Sequence, residues 1–369
     1  MRILYVITLA DGGGAQQYTL QLAKHFKGSI AAGTEEQQLF TDARAAGLPT
    51  FGVRHLKRDI RPWHDLLAVF ELRRLIRELK PDIVHLNSTK AGLLGSIAGR
   101  LAGTKVVFTA HGFRYLEPLS PAAKRFYLFI EKFASLFRDR IIAVSQADYN
   151  SALAHGVISP RRIRVIYNGI APINFLSRSQ ARKQLGLPDD KFIFGTVANF
   201  YPAKGLDVLI DAVNLLPAEL REKTIFTVIG HGPAEQNLKS KIENLKLSGC
   251  IKLPGQIPES KRLLKAFDCY ILPSRKEGLA FALIEALQAE LPIIATKVGG
   301  NPEVLGQAGL PVKAQDPRAL AAAMQKLLTD DALRKTFGEQ AGTRSALFTQ
   351  ERMFKETCQV YEELLKPRA

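Results

Sequence analysis

Short apolar runs rich in Val, Ile and Leu alternate with helical stretches along almost all of the 369 residues. In the first half, Ile3–Thr8, Ser29–Ala32, Thr50–Val53, Ile83–Leu86, Val106–Thr109, Ile141–Val144 and Arg164–Ile166 read as strands. Gln16–Phe26, His64–Leu79, Ala91–Leu101, Ala122–Phe137 and Gln146–His155 read as the helices between them. A strand that rejoins its sheet through a helix runs parallel to the one before it, so the alternation predicts parallel sheets covered by helices on both faces. Asn168-Gly169 is a turn signal, followed by about twenty residues that read as irregular, with Pro172 and Pro188. The alternation then restarts with strands at Phe192–Ala198, Ile225–Ile229, Ile251–Leu253, Cys269–Leu272 and Ile293–Thr296. Helices read at Leu206–Leu216, Glu235–Leu247, Ser260–Ala266, Phe281–Gln288, Pro317–Thr329 and Asp331–Ala341, and Glu351–Leu365 closes the chain.

The expected fold class is therefore α/β, with two doubly wound parallel-sheet, Rossmann-like domains. Residues 1–169 form the first domain, 170–188 a linker, 189–348 the second domain, and 349–369 a final helical segment. A chain of this length suits two cores of ~150–200 residues better than one. Ligands of such sheets bind beyond the carboxyl ends of the strands, so a cleft between the domains is the expected active site.

Several function classes fall away on composition. No apolar run approaches the ~18 residues of a membrane span, and the start reads as a first strand rather than a signal peptide. Cys250, Cys269 and Cys358 are scattered and suggest neither a disulfide framework nor a metal site, and a cytoplasmic location is expected. No metal is expected, since Asp-x-Asp and clustered His/Cys ligands are absent. Neither G-x-x-x-x-G-K-[ST] nor G-x-S-x-G occurs, which sets aside a P-loop NTPase and a serine hydrolase. The net charge of +16 is uneven. Residues 1–168 carry 24 Lys and Arg against 13 Asp and Glu, a net of +11, and the remainder 27 against 22, a net of +5. An anionic partner for the first half follows, either a lipid surface or a pyrophosphate. No RNP run or zinc finger points to nucleic acid.

The most specific chemistry lies in Glu277-Gly278-Leu279-Ala280-Phe281-Ala282-Leu283-Ile284-Glu285. The strand Cys269–Leu272 precedes it and the helix from Phe281 follows, so Glu277 sits on a strand-to-helix loop and Glu285 one turn inside the helix. The unpaired N–H groups at such a helix start suit a phosphate. Carboxylates on either side would repel that phosphate, so sugar hydroxyls are their natural partners. The outline is that of a nucleotide-sugar site. Lys204, in Asn199-Phe200-Tyr201-Pro202-Ala203-Lys204-Gly205, follows another strand and can add charge to the same anion site. Asp11-Gly12-Gly13-Gly14 opens the first long helix and lets a backbone come close to a ligand. It lacks the G-x-G-x-x-G pattern of dinucleotide folds. His111, in Thr109-Ala110-His111-Gly112, lies just past a strand and can hydrogen-bond a sugar hydroxyl. The helix Ala122–Phe137 mixes Lys and Arg with Phe126, Phe129, Phe133 and Phe137. Its rings are expected to pack into the first domain's core, with the basic face near lipid.

Together these segments resemble the retaining GT-B glycosyltransferases of family four, typified by bacterial polysaccharide and lipopolysaccharide enzymes. The resemblance runs nearly end to end. It includes the E-x7-E segment, Pro292 to Glu303, Val165-Ile166-Tyr167-Asn168-Gly169 and Tyr201-Pro202-Ala203-Lys204-Gly205. It implies that the first domain is the acceptor side and that the last segment crosses back to it. Glu277 would hold donor-sugar hydroxyls, Glu285 the ribose, and Lys204 with the backbone of Gly278, Leu279, Ala280 and Phe281 the diphosphate. Gly13 and Gly14 would approach the diphosphate or acceptor, and His111 the sugar near its reacting carbon. Asn199 stands where the family usually has an arginine.

The implied reaction moves a sugar from a nucleotide-diphosphate sugar, with UDP-hexosamine preferred, to a hydroxyl of a lipid-linked or cell-surface glycan, with the anomeric configuration kept. No cofactor or metal is implied beyond the co-substrate. The acceptor would be a glycan or a polyprenyl-pyrophosphate-linked sugar at the inner face of the cytoplasmic membrane, met through the basic first domain. A soluble acceptor, a GDP-mannose donor and a non-catalytic sugar-nucleotide-binding protein remain alternatives.

Overall fold

A computed structural model describes residues 1–366. By internal contacts the chain divides into two units, Met1–Asn168 with the segment from Glu351 on, and Gly169–Gln350.

The first unit runs β1 (Ile3–Ile7), α1 (Gly14–Phe26), β2 (Ser29–Gly33), α2 (Gln38–Ala45), β3 (Thr50–Val53), α3 (Pro62–Leu79) and β4 (Ile83–Leu86). It continues through α4 (Thr89–Leu101), β5 (Lys105–Ala110), α5 (Pro121–Ser135), β6 (Arg140–Ala143), α6 (Gln146–Ala154) and β7 (Ile163–Val165). The seven strands are all parallel, in the order β3-β2-β1-β4-β5-β6-β7. Chain order reverses between β1 and β4, so the loops after those strands flank a crevice. The pleat sends alternate side chains to opposite faces. Leu4, Val6, Val84, Leu86, Val106 and Phe108 thus share a core with the inner sides of α3 and α4.

Tyr5 and His85 are turned the other way. His85 is completely buried, with Nδ1 2.5 Å from the Tyr361 hydroxyl and Nε2 2.7 Å from Thr109 Oγ1. Tyr361 belongs to the last helix, which also stacks Phe354 on His25 of α1 at 4.0 Å. His85 is therefore a fully satisfied core histidine that ties the chain's end to the first sheet.

The second unit begins with α7 (Arg178–Leu185), β8 (Phe192–Val197), α8 (Leu206–Asn214), α9 (Ala218–Glu222), β9 (Thr224–Ile229), α10 (Glu235–Asn244) and β10 (Ile251–Gly255). Then come β11 (Cys269–Leu272), α11 (Phe281–Gln288), β12 (Ile293–Thr296), α12 (Asn301–Leu305), β13 (Gly309–Val312), α13 (Pro317–Thr329) and α14 (Asp331–Ser345). The last helix of the chain, α15 (Gln350–Leu365), carries Tyr361. The sheet is parallel, in the order β10-β9-β8-β11-β12-β13, with its reversal between β8 and β11.

Two local expectations change. The stretch 170–188 is not irregular throughout, because α7 forms within it and counts with the second unit. A capping box between Ser177 and Gln180 starts α7, and the fully buried Arg182 holds it to the Asp268 carboxylate at 2.7 Å. In α5, Tyr127, Leu128 and Ala134 face the core, while Phe126, Phe129 and Phe133 are exposed. The inner side of α5 is set by the buried Glu131–Arg138 pair at 2.8 Å, with Arg138 stacked on the Phe108 ring. That pairing turns the phenylalanine stripe outward.

Candidate active site

In the second unit, the loops that leave β8 and β11 flank the reversal of strand order. Glu277 projects from the loop after β11, and its Oε1 accepts from Lys204 Nζ at 2.7 Å and from Ser274 Oγ at 2.7 Å. Lys204 comes from the loop after β8, 73 residues earlier in the chain. The Glu277 side chain is 9% exposed and that of Lys204 29%, so the pair is largely withdrawn from the open surface.

Close backbone contacts hold this cluster. Gly205 has φ 65°, and a Cβ there would stand 2.2 Å from the Pro273 carbonyl oxygen. Only glycine lets the Lys204 loop lie that near the end of β11. Arg275 fastens the two loops further. Its N–H donates to the Ala203 carbonyl at 2.8 Å, and its guanidinium forks onto Asp207 at 2.7 and 2.6 Å. A bidentate fork fixes direction as well as distance.

Beyond Glu277, α11 starts without a capping side chain at Ala280. Gly278 accepts from the Gly300 N–H at 2.7 Å, and Gly299, at φ 50°, passes so close that a Cβ would lie 1.9 Å from the Glu277 carbonyl. Leu279, Ala280 and Phe281 are buried. Glu285, in the second turn of α11, is buried too, and burial pushes its carboxyl up to about 7, Lys261 opposing and Glu259 adding to the rise. Asn199 is half-buried at the end of β8, and its carbonyl accepts from the Tyr201 N–H at 2.8 Å. Glu277, Lys204, Glu285 and Asn199 thus lie on the two loops and one helix that border a single switch point.

In the first unit, Gly13 caps α1 with its backbone alone, and α1 begins at Gly14. The Gln16 amide reaches back to the Leu9 carbonyl at 3.2 Å and to the Asp11 carboxylate, which closes the glycine loop. His111 follows β5, with the Tyr18 ring edge-on at 4.8 Å. Its Nε2 is buried and has no hydrogen-bond partner, and burial lowers the imidazole to about 3, so the ring is neutral at any ordinary pH. His231 is exposed, and its carbonyl accepts from the Phe200 N–H at 2.7 Å.

Sequence reasoning missed Ser274 and the fork of Arg275 on Asp207, and it gave the Gly299-Gly300 pair, within the matching segment Pro292 to Glu303, no role of its own. Only the short distance of Ser274 from Glu277 along the chain could have drawn attention to it. Among the described residues, no group of three or more His, Cys, Asp or Glu is placed to hold a metal ion.

Two doubly wound parallel-sheet units, with an acidic pair and a lysine at the switch point of the second, define the GT-B class of glycosyltransferase. The model for glycosyl transferases group 1 matches residues 177–344, and that for Glycosyltransferase Family 4 matches residues 12–172. The chain belongs to this family of glycosyltransferases. It is 29% identical over 311 residues to UDP-Gal:alpha-D-GlcNAc-diphosphoundecaprenol alpha-1,3-galactosyltransferase of Escherichia coli, covering 82% of this chain and 80% of that protein. It is 27% identical to the capsular polysaccharide biosynthesis glycosyltransferase CapM of Staphylococcus aureus, covering 84% of each. Among solved structures, HepE of Anabaena in complex with UDP and glucose superposes with a TM-score of 0.86 over 98% of this chain and 100% of that one. At 22% identity that likeness speaks for the fold.

Proposed function

We propose that the chain is a retaining glycosyltransferase that moves a sugar from a UDP-linked donor to a hydroxyl of a lipid-linked or cell-surface glycan. The observation that carries this reading is the Lys204–Glu277–Ser274 cluster beside the uncapped start of α11. A cation beside helix-terminal N–H groups suits a departing diphosphate, and a carboxylate next to them suits sugar hydroxyls. Without donor, Lys204 neutralises Glu277. With donor, Lys204 turns to the diphosphate, and Ser274 keeps the freed carboxylate aimed at the sugar. Glu285 accepts from the ribose hydroxyls, and Gly278 to Phe281 supply backbone donors. Asn199 stands where the family usually has an arginine, so Lys204 carries a larger share of the diphosphate charge.

His111, neutral and with its buried Nε2 unpaired, serves as a hydrogen-bond partner to a sugar hydroxyl rather than as a titrating acid. Gly13 and Gly14 leave the α1 start open to substrate. In a front-face route the departing diphosphate takes the acceptor's proton, and no covalent nucleophile or metal is called for.

The names of the relatives support UDP as the nucleotide. The Escherichia coli relative uses UDP-galactose and a diphosphoundecaprenol-linked acceptor, and HepE has been solved with UDP-glucose. A hexose donor therefore stands beside the hexosamine. A lipid-linked acceptor would put the work at the inner face of the cytoplasmic membrane. No helix among the described residues is long and apolar enough to cross a membrane, so contact there would be peripheral.

A thermal-shift screen across UDP- and GDP-sugars, followed by release of nucleoside diphosphate with a bacterial lipid extract, tests this reading. A UDP-sugar should raise the melting temperature and turn over only with the extract. Glu277→Ala should remain folded and lose transfer. Near-normal turnover in that variant would remove Glu277 from the site.

A further inference from the structure

The helical layer α3–α4–α5 of the first unit has a face that none of the described residues covers. The inner side of α3 (Ala68, Val69, Leu72 and Ile76) fills the core. The outer side is apolar as well. Trp63 is 78% exposed, and Leu66, Leu67 and Phe70 are exposed beside it. The spacing of 63, 67 and 70 continues along the same side to Arg74 and Arg77.

Two helices away, α5 repeats the pattern. Phe129 is 65% and Leu136 70% exposed, with Phe126 and Phe133 completing the stripe. Lys124, Arg125 and Lys132 lie beside those rings and are exposed. The helices α3 and α5 both pack on α4, so the two stripes belong to one layer. Lys90 at the start of α4 binds Asp65 at 2.6 Å and holds the apolar end of α3 in place. The acid on α5 does not offset the cations, because Glu131 is buried against Arg138.

We infer that this face docks on an anionic lipid bilayer, with Trp63, Phe70 and Phe129 entering the interface and the flanking Arg and Lys meeting headgroup phosphates. An exposed apolar patch of this kind on a soluble fold marks an interaction surface. Aromatic and aliphatic residues flanked by Arg and Lys match the headgroup boundary. The occupant follows from charge, since a second copy of a chain with net charge +16 would bring the same basic surface against itself. The cations also continue past Leu136 into a cavity of about 760 Å³ that Arg100, Arg140 and Lys366 help to line. Both α3 and α5 start at the carboxyl edge of the sheet, where the glycine loop and His111 lie, and the face runs from that edge to the basic cavity at the starts of β5 and β6. The purpose of docking rests on the lipid-linked acceptor proposed above, whereas the docking itself does not.

Trp63 is the only tryptophan of the chain, so its fluorescence reports this surface alone. The full chain is mixed with vesicles of phosphatidylcholine, with and without phosphatidylglycerol, in the absence of any sugar donor. Co-flotation and a blue shift of Trp63 emission are expected only with phosphatidylglycerol, and both should weaken as salt is raised. The double variant Phe70→Glu with Phe129→Glu should keep its melting temperature and its donor-induced thermal shift, and lose partitioning by roughly tenfold or more. The inference is overturned if the wild type ignores anionic vesicles, if the folded double variant binds them equally, or if Trp63 emission stays unchanged. Self-association abolished by the double variant, without vesicle binding, would assign the face to a second copy and overturn it too. A lost donor shift with intact vesicle binding would instead count against the proposed transferase site.

Discussion

Glu285→Gln separates what the fold tolerates from what the donor site uses. The Glu285 carboxyl is buried, and its pKa rises from 4.5 to about 7, chiefly through burial. A folded-state value above the unfolded one means that the folded protein holds a proton the unfolded chain has released. Stability therefore declines as pH rises from the unfolded value through the folded one. The displacement corresponds to about 3 kcal/mol, all of it lost above about pH 8. Glutamine fills nearly the same volume and does not titrate. The variant should match or slightly trail the wild type near pH 5 and surpass it near pH 8, a swing of about 3 kcal/mol. For a unit of this size that is roughly 6–12 °C in the melting temperature of its transition. Differential scanning fluorimetry across that range, without ligand, measures it. UDP affinity should move oppositely, rising with pH in the wild type as the carboxylate ionises and staying low and flat in the variant. A melting difference between the two proteins that does not change with pH would refute the buried-carboxylate argument.

Lys204→Ala should weaken UDP binding by roughly tenfold or more, since it removes the full charge nearest the proposed diphosphate, and titration calorimetry reads this directly. An unchanged dissociation constant would detach Lys204 from the diphosphate. Gly205→Ala meets the Pro273 carbonyl and a left-handed backbone, and should cost more than about 1 kcal/mol while displacing Lys204. Its melting temperature and UDP affinity should fall together. Tyr361→Phe leaves His85 Nδ1 without its partner, and chemical denaturation should show a loss of about 1–3 kcal/mol in the first unit, with UDP binding unaffected.

Much of this molecule was legible along the chain because its signals are local. The run Cys269–Leu272, the helix Phe281–Gln288 and the helix Pro317–Thr329 carry their periodicity within a few residues, and the structure places them with those bounds. Other elements escaped for equally local reasons. The edge strand Gly309–Val312 is short and contains Pro311, and α7 lies between Pro172 and Pro188, where proline suggests irregular chain. Its capping box, Ser177 with Gln180, was the readable signal. The E-x7-E segment, set between an apolar run and a helical one, is enough to put Glu277 on a loop and Glu285 on a helix turn.

What periodicity could not supply was direction and company. The rings of α5 repeat at a helical interval whether they face inward or outward, and it is the Glu131–Arg138 pair that turns Phe129 and Phe133 to the outside. Lys204 and Glu277 are 73 residues apart, and they meet because β8 and β11 are neighbours in the sheet. Backbone geometry makes a helix or strand readable from its own residues. Strand order and burial are properties of the assembled sheet, so the 2.7 Å contact and the raised Glu285 carboxyl exist only once it has formed.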